Sequence, residues 1–163
     1  MSNSQLIERL YHGLRNLDGD AMAGCYAADS RFEDPAFGVL TGEEIGGMWR
    51  MLTSRSDGIE VDLSDVHANE SAGSASWVAS YTFGPKQRLV VNRATARFVF
   101  TDGLIASHVD TFSFHAWAKQ ALGPIGFVLG GTPILRNRVR ADARRSLDRF
   151  LAPSEGEADG PSL

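Results

Sequence analysis

Few side chains in this sequence are placed to move a proton, and Asp34 stands first among them, in the run Phe32-Glu33-Asp34-Pro35. A proline ring disfavours helix at the residue before it, so Asp34 sits on extended backbone. Apolar Phe32, Pro35 and Phe37 surround it. A carboxyl group in such a setting has a raised pKa and suits proton transfer. The alternative is structural: Asp34 caps a turn or accepts from a backbone amide. Glu33 alternates with it and faces outward.

His108 and Asp110 are two residues apart on a predicted strand, so they share a face. If that face is interior, Asp110 polarises His108 or shares a proton with Asp34, and the three form a catalytic set. If it is exterior, they are an exposed or structurally bonded pair; periodicity does not decide the side. Trp49, Tyr81, Phe83 and Phe98 are candidate ligand-binding wall residues or ordinary core. Asn92, in phase with Ala94, Ala96 and Phe98, is a candidate polar anchor or a strand-edge residue. Arg93 and Arg97 have the opposite phase and belong on the outer face of a sheet. A metal held by Asp34, His108 and Asp110 is disfavoured for want of a third close-spaced ligand. His12, His67 and His115 lack matched partners and read as surface or structural. Cys25 is the single cysteine, so no internal disulfide forms, no zinc spacing exists, and it reads as a small core residue. Neither G-x-G-x-x-G nor a Walker loop is present, and acid–base chemistry of this kind needs no cofactor.

The elements that position these groups follow from hydrophobic periodicity. Leu6, Ile7, Leu10, Tyr11, Leu14 and Leu17 recur at helical spacing, with Ser4 as a candidate cap. Asp18-Gly19-Asp20 breaks that helix and caps a short second one over about 20–28, with Met22, Ala23 and Tyr26 inward. Thr41 and Glu44 form a capping-box pattern ahead of a third helix carrying Ile45, Met48, Trp49 and Leu52 on one face. From Ile59 the period becomes two: Ile59, Val61 and Leu63 form one strand, and Trp77, Ala79, Tyr81 and Phe83 another. A longer strand spans about 87–100, Asp102-Gly103 makes a hairpin turn, and the last strand runs from about Leu104 to Phe114. Three helices and four substantial strands joined by short turns make an α+β domain: a mainly antiparallel sheet curls around the helices and leaves a conical cavity.

Beyond Phe114 a short helix from Trp117 to Leu122 ends at Gly123-Pro124, and an apolar, glycine-rich stretch spans 125–131. Thr132-Pro133 reads as an N-cap with proline at the first helical position, opening a helix over about 133–151. That helix carries six arginines against Asp142 and Asp148. The expected organisation is a domain over 1–114, a helical extension over 115–152 and a disordered polar tail over 153–163.

With 163 residues, 43% hydrophobic and 22% charged, the chain suits one soluble domain. A net charge of −4 gives no global attraction to nucleic acid. No signal-peptide pattern and no run of 18 apolar residues is present, which by default predicts a cytoplasmic protein.

The stretch from Asp18 through Pro35, followed by Phe37-Gly38 and Leu40-Thr41-Gly42, resembles the nuclear-transport-factor-2-like superfamily in its SnoaL-like and ketosteroid-isomerase-like branch. The resemblance runs from about Leu6 to Phe114. It implies a cystatin-like cone with a hydrophobic pocket, and frequent homodimers formed through the outer face of the sheet. Asp34 falls where ketosteroid isomerases place their general base, a carboxylate tuned by its surroundings. The rest of that set is missing, because Leu10 stands at the tyrosine position and Ala96 at the oxyanion-binding aspartate position. Tyr11, one residue along the helix, is rotated about 100° and is expected to point elsewhere. Asp110 matches a pocket aspartate of limonene-epoxide-hydrolase-like members, but Ala79 and Tyr81 stand where their Arg and second Asp belong.

Three functions compete. The first is a cofactor-independent acid–base enzyme of isomerase, cyclase or hydratase type acting on a small hydrophobic molecule through Asp34. The second is a non-catalytic protein binding such a molecule. The third, less favoured, is a dimeric interaction or membrane-peripheral module that uses the arginine-rich helix.

Overall fold

The computed structural model describes residues 1–153; the expected disordered tail lies, from residue 154 onward, outside the described residues. Helix α1 (Asn3–Arg15) presents Leu6, Ile7, Leu10, Tyr11 and Leu14 to the core. Its cap is Ser2 rather than Ser4, because Ser2 and Gln5 satisfy each other's backbone amides in a capping box. Helix α2 (Gly19–Ala23) is shorter than its sequence pattern predicts. Tyr26 and the residues after it leave the helix and open strand β1 (Tyr26–Asp34), which pairs with both β2 (Gly38–Thr41) and β6 (Leu104–Thr111). Ladder hydrogen bonds on both flanks outweigh the helical spacing of Met22, Ala23 and Tyr26.

Helix α3 (Glu43–Arg55) starts after Gly42, whose φ of 57° suits glycine. Half of the expected capping box forms: the Thr41 amide donates to Glu44 Oε2 at 3.0 Å. Strands β3 (Glu60–Ala68), β4 (Ala72–Phe83) and β5 (Arg88–Thr101) follow. The sheet order is β2-β1-β6-β5-β4-β3, with β1 and β6 the one parallel pair in it. The fold is therefore α+β, with a curved, unclosed sheet of six strands rather than four. The added pair, β1 and β2, carries Asp34 at its hairpin end, paired with Gly38. Along β5, Val90, Asn92, Ala94, Ala96, Phe98 and Phe100 are buried, while Arg93 and Arg97 are exposed.

Strand β6 ends at Thr111, short of Phe114, because the Ser113 side chain caps helix α4 (Phe114–Leu122). The glycine-rich stretch is mostly helical, α5 (Pro124–Leu129). Helix α6 (Pro133–Leu151) begins with Thr132 accepting from the Leu135 amide and Pro133 in the first turn. Leu147 of α6 is fully buried in the main core, and Arg144 pairs with Glu44 of α3. The C-terminal helices thus close over the open side of the sheet.

Helices α2 and α3 approach closely at Gly19. A Cβ there would lie 2.6 Å from both Arg50 Cα and Thr53 Oγ1, so the two helices would have to part. Gly19→Ala is expected to lower stability by about 1–3 kcal/mol in urea denaturation. An unchanged midpoint would show that this contact yields freely.

Candidate functional site

The sheet's concave face and helices α1, α3, α4 and α6 enclose a cavity of about 560 Å³. Trp49, Trp77, Tyr81, Phe83, Phe112 and Trp117 supply much of its wall, and the polar groups among its lining residues include Asp34, Asn92 and Asp110. An apolar cavity with a few convergent polar groups is the usual form of a small-molecule site.

Asp34 sits where β1 turns into β2. Its Oδ1 accepts the amides of Ala36 at 2.9 Å and Phe37 at 2.6 Å. The structural and the reactive readings of Asp34 therefore coexist, since the turn occupies one oxygen. Oδ2 has no hydrogen-bond partner among the described residues. The residue is half-buried, bordering the cavity on one side and a shallower pocket beside Arg136 and Arg140 on the other. Burial pushes its pKa up to about 7, and the nearby charge of Asp110 adds to the rise. The two backbone amides and His108 oppose it.

His108 and Asp110 both point inward from β6 and are 0% and 5% exposed. His108 Nε2 lies 3.0 Å from Asp110 Oδ1, and its Nδ1 lies 2.8 Å from the Tyr26 hydroxyl. The indole of Trp49 donates to that hydroxyl at 3.1 Å, and the indole of Trp77 donates to Asp110 Oδ1 at 3.1 Å. An indole N–H can only donate, so the direction of the chain is fixed at both ends. Trp49 donates to Tyr26, Tyr26 to His108 Nδ1, and His108 Nε2–H to Asp110. This is the arrangement that leaves no buried donor idle. Burial, with Asp110 nearby, raises the Tyr26 pKa and keeps its hydroxyl protonated, although the Trp49 bond works against this.

His108 touches Asp110 but does not line the cavity. Phe98 does not line it either: it packs on the His108 ring at 4.5 Å between centroids and props it from the side. Trp49, Tyr81, Phe83 and Asn92 do border the cavity. Tyr81 accepts from the Trp117 indole at 3.0 Å, which leaves its own O–H free to donate into the cavity. Burial is the main cause of its raised pKa.

Tyr11 departs from the sequence expectation. It points into the core, 2% exposed, with its ring centroid 5.9 Å from that of Trp77. Its hydroxyl has no partner at hydrogen-bonding geometry, and burial together with the Asp110 charge raises its pKa. Leu10 is buried as well, so α1 is wedged deeply enough for two adjacent residues to face inward. Ala96 pairs directly with Asp110 across the β5–β6 ladder. A carboxylate missing from β5 is thus present one strand over. Tyr26, read from sequence only as an inward helical residue, is the linking group that sequence spacing could not reveal, since its partners lie 23 and 82 residues away.

This architecture matches a family model, the SnoaL-like domain, over residues 7–108. The chain belongs to the SnoaL-like family. The match stops within β6, so helices α4–α6 lie beyond it. Solved structures with the same fold include a ketosteroid-isomerase-like protein from Catenulispora acidiphila in complex with trimethylamine (16% identity, TM-score 0.65, covering 73% of this chain and 93% of that one). A limonene-epoxide-hydrolase-like epoxide hydrolase of M. tuberculosis is 22% identical, with a TM-score of 0.63 over 78% of this chain and 95% of that one. A protein described as a putative polyketide cyclase from a Silicibacter species is 19% identical, with a TM-score of 0.62 over 73% and 94%. No curated protein matches the sequence. At these identities the structures establish the SnoaL-like, nuclear-transport-factor-2-like fold.

Two outcomes are expected from this geometry. Tyr26→Phe leaves the Trp49 indole and His108 Nδ1 buried without their shared partner, and should cost about 1–3 kcal/mol in denaturant unfolding. An unaltered midpoint would mean the chain of bonds adds nothing. For Asp34, the folded pKa near 7 exceeds the ordinary 3.8, so between those values the folded state holds the extra proton. Stability contributed by this residue therefore falls as pH rises from about 4 to about 7 and is level above that. Asp34→Asn should remove that decline and be more stable than wild type at pH 8 by about 1–3 kcal/mol, less than the full shift because cavity water screens the charge. Parallel stability profiles for the two proteins would contradict it.

Proposed function

We propose that this SnoaL-like protein binds a small hydrophobic molecule in its cavity and acts on it as a cofactor-independent acid–base enzyme of isomerase, cyclase or hydratase type. The observation that carries this reading is Asp34. One oxygen is fixed by two amides, the other is unpartnered, and a pKa near 7 leaves the group poised between its two states at neutral pH.

Asp34 takes a proton from the carbon beside a substrate carbonyl. The electron pair moves onto the carbonyl oxygen, where the Tyr81 hydroxyl and the Asn92 amide donate to it. These two residues then stand in for the electrophile that Leu10 and Ala96 do not supply. Protonated Asp34 returns its proton to a second carbon in an isomerisation, or to the new alkoxide once the carbanion has closed a ring. Burial, with a smaller contribution from Asp110, holds the Asp34 proton in the neutral range. His108 positions Asp110, as does Tyr26 through His108, without touching substrate. The neighbour named as a putative polyketide cyclase favours a ring-forming reaction on an oxygenated carbon skeleton. A homodimer through the outer sheet face, where Arg93, Arg97 and the exposed Val99 lie, and a cytoplasmic location accompany this reading.

The test is proton exchange in deuterated water, followed by NMR over a panel of cyclic and polyketide-like ketones. Exchange should rise as pH passes through about 7. Asp34→Asn should lower it at least about 100-fold while ligand affinity persists. Undiminished exchange in the variant would remove Asp34 from the mechanism. Ligand binding without any exchange in the wild type would favour the non-catalytic reading.

A further inference from the structure

Helix α5 is built inside out. In an ordinary surface helix the large apolar residues face the protein. Here Gly126 and Gly130 are the buried positions, while Ile125, Phe127, Val128 and Leu129 are 61%, 64%, 71% and 43% exposed. The orientation is locked by backbone proximity. A Cβ on Gly126 would run into the Ala118 carbonyl of α4, and one on Gly130 would lie 2.6 Å from His115 Cδ2. His115 Nε2 also meets the Phe127 carbonyl at 3.1 Å. The helix therefore cannot roll to bury its apolar side without losing its seat on α4. Ile134, at the start of α6, adds a fifth exposed apolar side chain at 79%.

Cations prevail in the segment that carries this patch. Between Asp110 and Asp142 the sequence contains no acidic residue, but it contains Lys119, Arg136, Arg138 and Arg140, in a chain whose net charge is −4. Lys119 lies over the Phe127 ring at 5.6 Å, and Arg136 over the Phe114 ring at 5.7 Å. Arg138 makes only an exposed 3.5 Å pair with Asp142, and Arg140 is turned toward the Pro35 carbonyl. An exposed apolar cluster of this kind signals a docking surface.

We propose that α5 and the start of α6 dock on the surface of an anionic phospholipid bilayer, with Ile125, Phe127, Val128 and Ile134 entering the interface and Lys119, Arg136 and Arg138 at the headgroups. Modest apolar insertion combined with electrostatic attraction is what reversible membrane attachment requires. The charge pattern selects this occupant over a second copy of the chain. A two-fold contact through the patch would bring Lys119, Arg136 and Arg138 of one copy against the same cations of the other, and among the described residues of this segment Asp142 alone pairs with one of them. Leu122 at the end of α4 and Val139 of α6 both line the cavity, so the docking segment lies between two elements of the cavity wall.

The test is co-sedimentation of the full chain with vesicles of phosphatidylcholine alone and of phosphatidylcholine mixed with phosphatidylglycerol. At low salt the protein should pellet with the mixed vesicles, remain in solution with phosphatidylcholine alone, and be released as salt rises. The double variant Phe127→Asp, Val128→Asp should bind at least about tenfold more weakly. Its melting temperature should stay unchanged, because both side chains are exposed. Arg136→Ala and Arg138→Ala should each weaken binding about fivefold. The proposal is overturned if the chain stays in solution with mixed vesicles at low salt, or if the double variant pellets like wild type. It is also overturned if light scattering shows a dimer that the double variant dissolves, which would assign the patch to a second copy.

Discussion

The interior of this protein depends on a continuous run of hydrogen bonds between buried polar side chains, from Trp49 through Tyr26 and His108 to Asp110, joined there by Trp77. These five residues come from α3, β1, β6 and β4. Placed singly in an apolar core, each would leave a donor or acceptor without a partner, and that cost is larger than the gain from any one bond. Placed together they satisfy one another, and in doing so they tie the helix layer to three strands of the sheet. The run ends at Asp110, and the cavity begins there. Phe32 and Phe98 pack their rings against His108 at 5.1 and 4.5 Å, so the imidazole has little room to turn.

The same arrangement gives two of the carboxyl groups that border the cavity, Asp110 and Asp34, different surroundings. Asp110 receives indole and imidazole donors. Asp34 receives only the two amides of its own turn, and on one oxygen. Burial and the neighbouring negative charge then favour its protonated form. The two aspartates have like side chains and unlike surroundings. Two of the polar groups that reach the cavity wall, Tyr81 and Asn92, come from β4 and β5.

The C-terminal helices do two things with one segment. Their inner faces, through Trp117, Leu122 and Val139, complete the cavity wall. Their outer face carries α5 with its glycines inward and its bulky residues outward. Fitting α5 tightly against α4 needs residues without side chains at Gly126 and Gly130, and the apolar side chains between them have no inward space left to occupy.

Much of the architecture can be read directly from residue order. The period-3.6 pattern of Leu6 to Leu14, the period-2 runs of Val90 to Phe100, the Asp102-Gly103 turn and the Thr132-Pro133 cap are local signals, and local backbone preference carries them. Asp34 was legible for the same reason, since a proline and two phenylalanines define its setting within four residues. Other features were not legible. Tyr26 reads as helical but pairs as strand; Tyr11 reads as misdirected but is buried; and β2 is too short to show a period. Sequence alone determined the class of the fold, the strand phases and the acid before Pro35. Which side of β6 faces inward, which residues bond to His108, and the charge balance between Asp34 and Asp110 were decided only by the tertiary structure. These depend on contacts between residues tens of positions apart, whose distances no local preference can set.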